Sequence, residues 1–316
     1  MKKCLYCYKP IGSEEGDFHT ACSKKIFDLT TPPALPYSES DLEPLAKEII
    51  NSHTAVAGVQ TKLSLHISKD SKDSKGTSFK RFTIVGLWGG YILKPQVSSY
   101  AQLPEVEDLT MHLAELARIR TAPHSLIRMS SGNLAYITKR MDRTRTGKLA
   151  MEDFCQLMER MTEDKYHGSY EQIAKTIRKY SSAPGLDIIN FFELVLFSFL
   201  TGNADMHLKN FSLLEHPGTG MIFAPAYDLV NTALVNPADK EDMALTLNAK
   251  KRKIKRSDFI AAMNTLHVEE KQQQNIFNKM LEAAPKWIEF IDSSFLNDDY
   301  KERYKEIVFE RLKRIS

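Results

Sequence analysis

Long apolar runs, an excess of either charge and chain-breaking residues are all in short supply in this sequence. The longest apolar stretch, Ile188 to Leu200, is too short for a bilayer span and contains Glu193. No basic leader with an apolar centre opens the chain, so the expectation is no membrane association and a cytoplasmic location. The 43 basic residues stand against 40 acidic ones, a net charge of +3, which leaves only a local patch for nucleic-acid or membrane binding. With 14 glycines and 13 prolines in 316 residues, 42% hydrophobic and 26% charged, neither a low-complexity nor a disordered chain fits. What remains is a globular protein long enough for a large core and for two domains or one domain of two lobes.

Cysteine is scarce too, but unevenly so: three of the four lie in the first 22 residues, in CLYCYKPIGSEEGDFHTAC. Cys4 and Cys7 have C-x2-C spacing, and His19 and Cys22 follow as H-x2-C after a loop with Gly12 and Gly16. A tight turn lets two thiolates face one ion, and the second pair completes a tetrahedral shell with no open position. The expectation is a structural Zn2+ site of three cysteines and one histidine, folding a segment too short for its own core. The alternative is three reduced thiols beside a surface histidine. An odd number of local cysteines argues against disulfides. Cys155, in MEDFCQLM, is expected to be a buried helix residue.

The Pro-rich TTPPALPYSES reads as a linker before the amphipathic DLEPLAKEIINS. Beyond it the period becomes two: Leu63, Leu65 and Ile67 alternate with Lys62, Ser64, His66 and Ser68, and RFTIVG and YILKP add short strands around a hairpin loop, SKDSKDSKGTS. In PEVEDLTMHLAELARI, Val106, Leu109, Leu113 and Leu116 fall on one face of a helix opened by Pro104. LAYITKRMDR returns to strand, and the remainder is mostly helical with strand-like interruptions at FSLLE, MIFAP and MALTLN. The expected fold class is α+β, a protein-kinase-like two-lobed fold with a small mixed α/β N-lobe and a mostly helical C-lobe. Its parts would be a zinc segment at 1–30, a linker and helix at 31–50, the N-lobe at 51–145 and the C-lobe at 146–316.

Phosphoryl transfer needs a loop over the phosphates, a lysine to neutralise them, a carboxylate for the hydroxyl proton, and metal ligands. VAGVQTK, residues 56–62, contains Gly58, which would let backbone N–H groups approach phosphate oxygens, and Lys62 adds charge. Lys94 would leave an apolar strand, with Glu107 on the next helix as its partner; alone, Lys94 reads equally as a snorkelling edge lysine, and Glu107 reads as a solvated helix carboxylate. In GNADMHLKN, Asp205 and Asn210 are five apart, the spacing of base and metal ligand in the kinase H-R-D-x-x-x-x-N loop, with His207 and Lys209 between them. Asp228, in APAYDLV, follows an apolar strand as a D-F-G aspartate would, and is the second candidate ligand for Mg2+.

Together VAGVQTK, ILK, VEDLTMHLA, TKRMDR, GNADMHLKN and AYD, in this order across roughly residues 50–316, resemble the HipA-type serine/threonine kinases, toxins of bacterial toxin–antitoxin modules. The resemblance implies Asp205 as catalytic base and Mg2+ on Asn210 and Asp228. It implies ATP phosphates near Ala57, Gly58, Val59, Gln60, Lys62 and Lys94, adenine at Lys139, Arg140 and Met141, and an ATP site lined by His207, Lys209 and Tyr227. It also implies a protein substrate, with aminoacyl-tRNA synthetases among the family's targets. A DNA-binding antitoxin is an implied partner, as is a small separate protein supplying an N-terminal subdomain that longer relatives carry. Ala55 and Ala57 stand where relatives carry a regulatory serine, with Thr54 and Thr61 the neighbouring hydroxyls, and Met141 stands where an aromatic is usual. The alternative reading is a catalytically idle kinase fold serving as a binding module beside an antitoxin. The run KKRKIKR, Lys250 to Arg256, is either a weak DNA-phosphate grip or a solvated loop before a helix capped by Ser257.

Overall fold

The computed structural model describes residues 2–12, 16–42, 44, 62–68, 71–72, 78–85, 89–144 and 147–316. The expected phosphate loop, Ala57 to Gln60, and most of DLEPLAKEIINS lie outside the described residues. Two compact units make up the chain: Met1–Asp108 with Ala122–Met141, and Leu109–Thr121 with Asp142–Ser316.

In the first unit the strands are β1 (Leu63–Ile67), β2 (Ser71–Lys72), β3 (Ser78–Phe79), β4 (Phe82–Ile84), β5 (Tyr91–Lys94), β6 (His124–Arg128) and β7 (Leu134–Lys139). Among the described residues five of them form an antiparallel sheet in the order β4-β1-β5-β7-β6, and β2 pairs with β3. Leu63 and Leu65 are buried and His66 is exposed, the alternation of a strand with one face on the core. Phe82 and Tyr91 meet edge to face at 5.3 Å, and Phe27, the last residue of helix α1 (Thr20–Phe27), packs edge-on against Phe82 at 5.8 Å. The Tyr91 hydroxyl donates to Ile26 O and the Ser125 hydroxyl to Leu5 O, both at 3.1 Å. The N-terminal segment therefore builds its core jointly with the sheet. Residues expected to be a linker pair alongside β4: Ala34 N–H donates to Lys80 O at 2.9 Å, and Ala34 O accepts from Phe82 N–H at 2.8 Å.

Helix α2 (Leu103–Leu116) corrects the expectation of a single buried face, because every residue from Val106 to Ala114 is buried. Its beginning belongs to the first unit, where Asp108 accepts from Tyr8. Its later turns belong to the second, where Trp287 Nε1 donates to Leu113 O at 2.8 Å.

The second unit comprises β8 (Met151–Asp153), α3 (Phe154–Leu157), α4 (Tyr170–Tyr180), α5 (Pro184–Leu200), β9 (Ser212–His216), β10 (Gly220–Phe223), α6 (Thr232–Val235), α7 (Arg256–Thr265), α8 (Glu270–Asp292) and α9 (Asp298–Ile315). Strands β8, β9 and β10 form a small antiparallel sheet. Helix α5 is apolar nearly all round, and so it lies in the core. Its Phe191 meets Phe211 at 5.2 Å and Phe223 at 5.9 Å, and burying each such ring contributes about 1.5–3 kcal/mol. Cys155 is buried in α3.

MALTLN is not a strand; it makes only isolated bridges, Ser169 with Thr246 and Leu247 with Lys250. Helix α7 begins at Arg256 rather than behind a Ser257 cap, and Asp258 accepts from Lys255 N–H at 2.9 Å. Within the basic run, Lys250 pairs with Asp258 at 2.7 Å, Lys251 with Glu241 at 3.5 Å, and Arg256 donates to Ile315 O at 3.0 Å. Among the described residues no helix is long and apolar enough to cross a membrane.

Candidate active site

Helix α5 delivers the chain to a tight reversal at Gly202. Its φ of +71° lies in the left-handed region, and a Cβ would sit 2.7 Å from Asn231 Oδ1 and 2.9 Å from Ile307 Cγ2, so only glycine fits. The following loop is strapped to residues 232–233: Ala204 N–H donates to Thr232 Oγ1 at 2.8 Å and Ala233 N–H to Gly202 O at 3.0 Å. Met206 and Leu208, both fully buried, anchor it. Asn210 Nδ2 donates to Asp205 O at 2.9 Å, which commits the amide nitrogen to the backbone and leaves Oδ1 as the atom a cation would meet.

The segment carrying Asp228 is held against this loop by its neighbour. Tyr227 OH donates to Lys209 O at 3.0 Å and shares a hydrogen bond with Ser212 Oγ at 2.6 Å. Asp228 itself has φ +59°, a left-handed conformation of the kind that concentrates at functional sites. Burial pushes the His207 imidazole below its ordinary range; the nearby Asp205 carboxylate pulls the other way, Lys165 lowers it further, and Asp228 also pulls upward. Both carboxylates thus act on one buried ring, whose Nδ1 has no hydrogen-bond partner among the described residues. The Asn210 carboxamide and the Asp228 carboxylate supply hard oxygen donors of the kind Mg2+ takes, and His207 supplies a polar ring nitrogen for an incoming group, so these residues fit a magnesium nucleotide.

In the first unit, Lys94 Nζ meets Glu107 Oε1 in a buried ion pair, with the ammonium 5.4 Å above the Tyr136 ring. Lys62 is exposed just before β1, and Lys139 is tied to Asp28 at 2.5 Å. Arg140 N–H donates to Gly90 O at 2.8 Å, and Met141 follows at the end of the unit.

The first unit also gathers Cys4, Cys7, His19 and Cys22, with one ligand atom from each within 4.8 Å of the others. His19 Nδ1 faces Cys7 Sγ at 3.5 Å and Cys22 Sγ at 3.7 Å, while Nε2 lies 3.1 Å from Pro10 O. A backbone acceptor on Nε2 fixes the proton there and turns Nδ1 to the thiols, as in metal-bound histidines. Burial, and then the neighbouring Cys4, push the Cys22 thiol up to about 12. Burial raises Cys4 as well, but backbone groups of Cys7, His19 and Tyr6 outweigh it and hold that thiol below its ordinary value.

The model of the HipA-like C-terminal domain family matches residues 54–288. The chain belongs to this family. A Sinorhizobium fredii relative named "Putative kinase Y4dM" is 32% identical over 190 residues, 56% of this chain and 45% of its own length. A Haemophilus influenzae protein named "Putative kinase" is 27% identical over 254 residues, 74% of this chain and 69% of its own. The match to a second Sinorhizobium fredii relative, "Putative kinase Y4mE", spans 36% of that protein, so this chain covers less than half of both Sinorhizobium relatives. Among solved structures, Shewanella oneidensis HipA, in complex with HipB and operator DNA, aligns over 83% of this chain and 65% of its own with a TM-score of 0.66 and 23% identity. Helicobacter pylori proinflammatory kinase CtkA aligns over 71% and 87% with a TM-score of 0.53 and 17% identity. The mixed α+β fold is that of HipA and of a kinase.

Two residues of this HipA-like chain that the sequence did not single out bind charged side chains of the Asp205 loop. Asp153 Oδ2 accepts from Lys209 Nζ at 2.6 Å, while its Oδ1 accepts from Gln156 N–H at 3.0 Å and caps α3. The sequence signal was the cap, Asp153 three residues before Gln156. Tyr166 OH donates to Asp205 Oδ1 at 2.6 Å, and nothing in the local sequence marks it.

Proposed function

We propose that this HipA-like chain is an ATP-dependent serine/threonine protein kinase of the toxin type, transferring the γ-phosphate of ATP to a protein, with aminoacyl-tRNA synthetases the first substrates to test. The observation that carries this reading is one loop, residues 202–210, tied to residues 227–232 by Tyr227 OH on Lys209 O and by Ala204 N–H on Thr232 Oγ1, with the Asp205 and Asp228 carboxylates both pulling upward on the buried His207 imidazole. In this reading Asp205 accepts the proton of the acceptor hydroxyl. Asn210 Oδ1 and the Asp228 carboxylate hold Mg2+, which when bound neutralises phosphate charge. His207 donates to a phosphate oxygen. Lys209, oriented by Asp153, and Tyr227 shape the wall of the site. In the first unit Lys94, held straight by Glu107, presents its ammonium to nucleotide phosphates together with Lys62 and the loop Ala57 to Gln60, while Lys139 to Met141 receive adenine.

Two further parts belong to the proposal. The cluster of Cys4, Cys7, His19 and Cys22 holds a structural Zn2+, supported by its soft donor set and by the His19 Nε2 contact with Pro10 O. A DNA-binding antitoxin is the proposed partner, supported by the likeness to a HipA seen with HipB and operator DNA, and a small separate protein supplying an N-terminal subdomain is a second. Labelled phosphate from ATP should enter lysate proteins with wild type and fall at least about 100-fold with Asp205→Ala, the order lost with a general base. Equal incorporation by both would remove the assignment.

A further inference from the structure

Tyr8 follows directly on Cys7 of the cysteine cluster. Its N–H donates to Cys4 O at 3.0 Å, closing the C-x2-C turn, and its φ of +61° is a left-handed conformation that a tyrosine keeps only where its surroundings impose it. The turn is docked on β6: Leu5 O, between the two cysteines, accepts from the Ser125 hydroxyl at 3.1 Å and from Leu126 N–H at 3.3 Å. From this turn the Tyr8 hydroxyl donates to Asp108 Oδ2 at 2.7 Å, 100 residues away in the chain. Asp108 stands next to Glu107 on α2, and Glu107 is the partner of Lys94. A second route reaches the same lysine. Asp108 Oδ1 accepts from His124 Nδ1 at 2.7 Å, the His124 ring stacks on Tyr136 with centroids 6.1 Å apart, and the Lys94 ammonium lies over that Tyr136 ring. All six side chains are buried and belong to the first unit, so one continuous polar and aromatic chain joins the cysteine cluster to Lys94.

We propose that Tyr8 is a positioning residue for Lys94, acting through Asp108, and that occupancy of the cysteine cluster thereby sets how tightly the chain holds ATP. The inference rests on the zinc and nucleotide roles proposed above. With Cys4, Cys7, His19 and Cys22 drawn together, the turn keeps Tyr8 in its left-handed conformation and its hydroxyl on Asp108. Once the four ligands separate, Tyr8 relaxes to an ordinary conformation and Asp108 loses a donor. A buried carboxylate short of a donor is costly, so the first turns of α2 shift to restore one. Glu107, the adjacent residue, shifts with them and no longer holds Lys94 straight. Linkage makes the effect reciprocal: ATP bound at Lys94 favours the arrangement in which the four ligands converge.

Zinc is stripped from the full chain, the chelator is dialysed away, magnesium is restored and ATP is titrated. Stripped wild type is expected to bind ATP at least about 5-fold more weakly than the zinc-loaded chain, the low end of coupling between two sites. Tyr8→Phe keeps the ring and all four ligands and removes only the hydroxyl. It should retain its zinc, bind ATP more weakly than zinc-loaded wild type, and respond less to stripping. A readout without ATP is the 15N-labelled Lys94 ammonium resonance, assigned by its loss in Lys94→Met, which should move both in stripped wild type and in Tyr8→Phe. Wild-type ATP affinity that ignores zinc overturns the proposal alone. So does a Tyr8→Phe that binds ATP like wild type, leaves the Lys94 resonance unmoved, or responds fully to stripping. Loss of zinc from Tyr8→Phe also overturns it, marking the tyrosine as packing for the cluster itself. Wild type that binds ATP but no zinc overturns the metal site with it, and wild type that binds zinc but no ATP overturns the nucleotide reading.

Discussion

At the scale of single residues, burial holds His207 below the ordinary imidazole range, so folding favours its neutral form. A histidine depressed in this way binds its proton more readily when the chain is unfolded. Its contribution to stability is complete above the unfolded value of about 6.5 and is lost as pH falls below it. Urea unfolding of wild type should therefore weaken between about pH 7.5 and about pH 5.5, and less so in His207→Gln; identical slopes would contradict the burial argument. Asp205, His207, Lys209 and Asn210 were legible in the sequence because four polar groups crowd into six residues after an apolar helix. Tyr166 and Asp153 were not, because they lie 39 and 56 residues from the side chains they bind and only tertiary folding brings them there.

Among the elements, α2 was legible as a helix by its apolar spacing, but the burial of its polar side was not, since periodicity reports one face and is silent about what covers the other. Glu107 shows the consequence: its side chain is 0% exposed and its partner Lys94 4%. A charge stripped of its partner in such a place costs about 3–5 kcal/mol, whereas replacing both partners with apolar residues is close to neutral. Glu107→Ala should lose stability of that order in denaturant unfolding, and the double variant Lys94→Met, Glu107→Leu should recover most of it. A single variant within about 0.5 kcal/mol of wild type would place the pair in solvent. The reversal at Gly202 was legible as a turn; the need for glycine there was not, because it comes from Asn231 and Ile307.

For the molecule as a whole, the order of elements expected from the sequence, short strands and one helix followed by a helical remainder, is the order of elements along the chain, with the later turns of α2 falling in the second unit. The place of the N-terminal segment was not legible. Pairing of Ala34 with residues 80–82 and packing of Phe27 on Phe82 are long-range contacts that a Pro-rich stretch does not announce. Because that segment shares its core with the sheet, loss of the proposed metal should be felt beyond it. Wild type is expected to carry one zinc per chain by elemental analysis, and Cys4→Ser to lose it together with thermal stability of the first unit. Unchanged zinc content would reject the site.

The central claim is that Asn210 and Asp228 hold magnesium on a nucleotide beside Asp205, and calorimetric titration with ATP tests it most directly. Wild type should bind ATP in the presence of magnesium and at least about 10-fold more weakly once the metal is chelated, a difference of about 1.4 kcal/mol. Asn210→Ala and Asp228→Ala should bind with the weaker affinity whether or not magnesium is present. Binding by wild type that ignores magnesium, or no binding at all, would contradict the account.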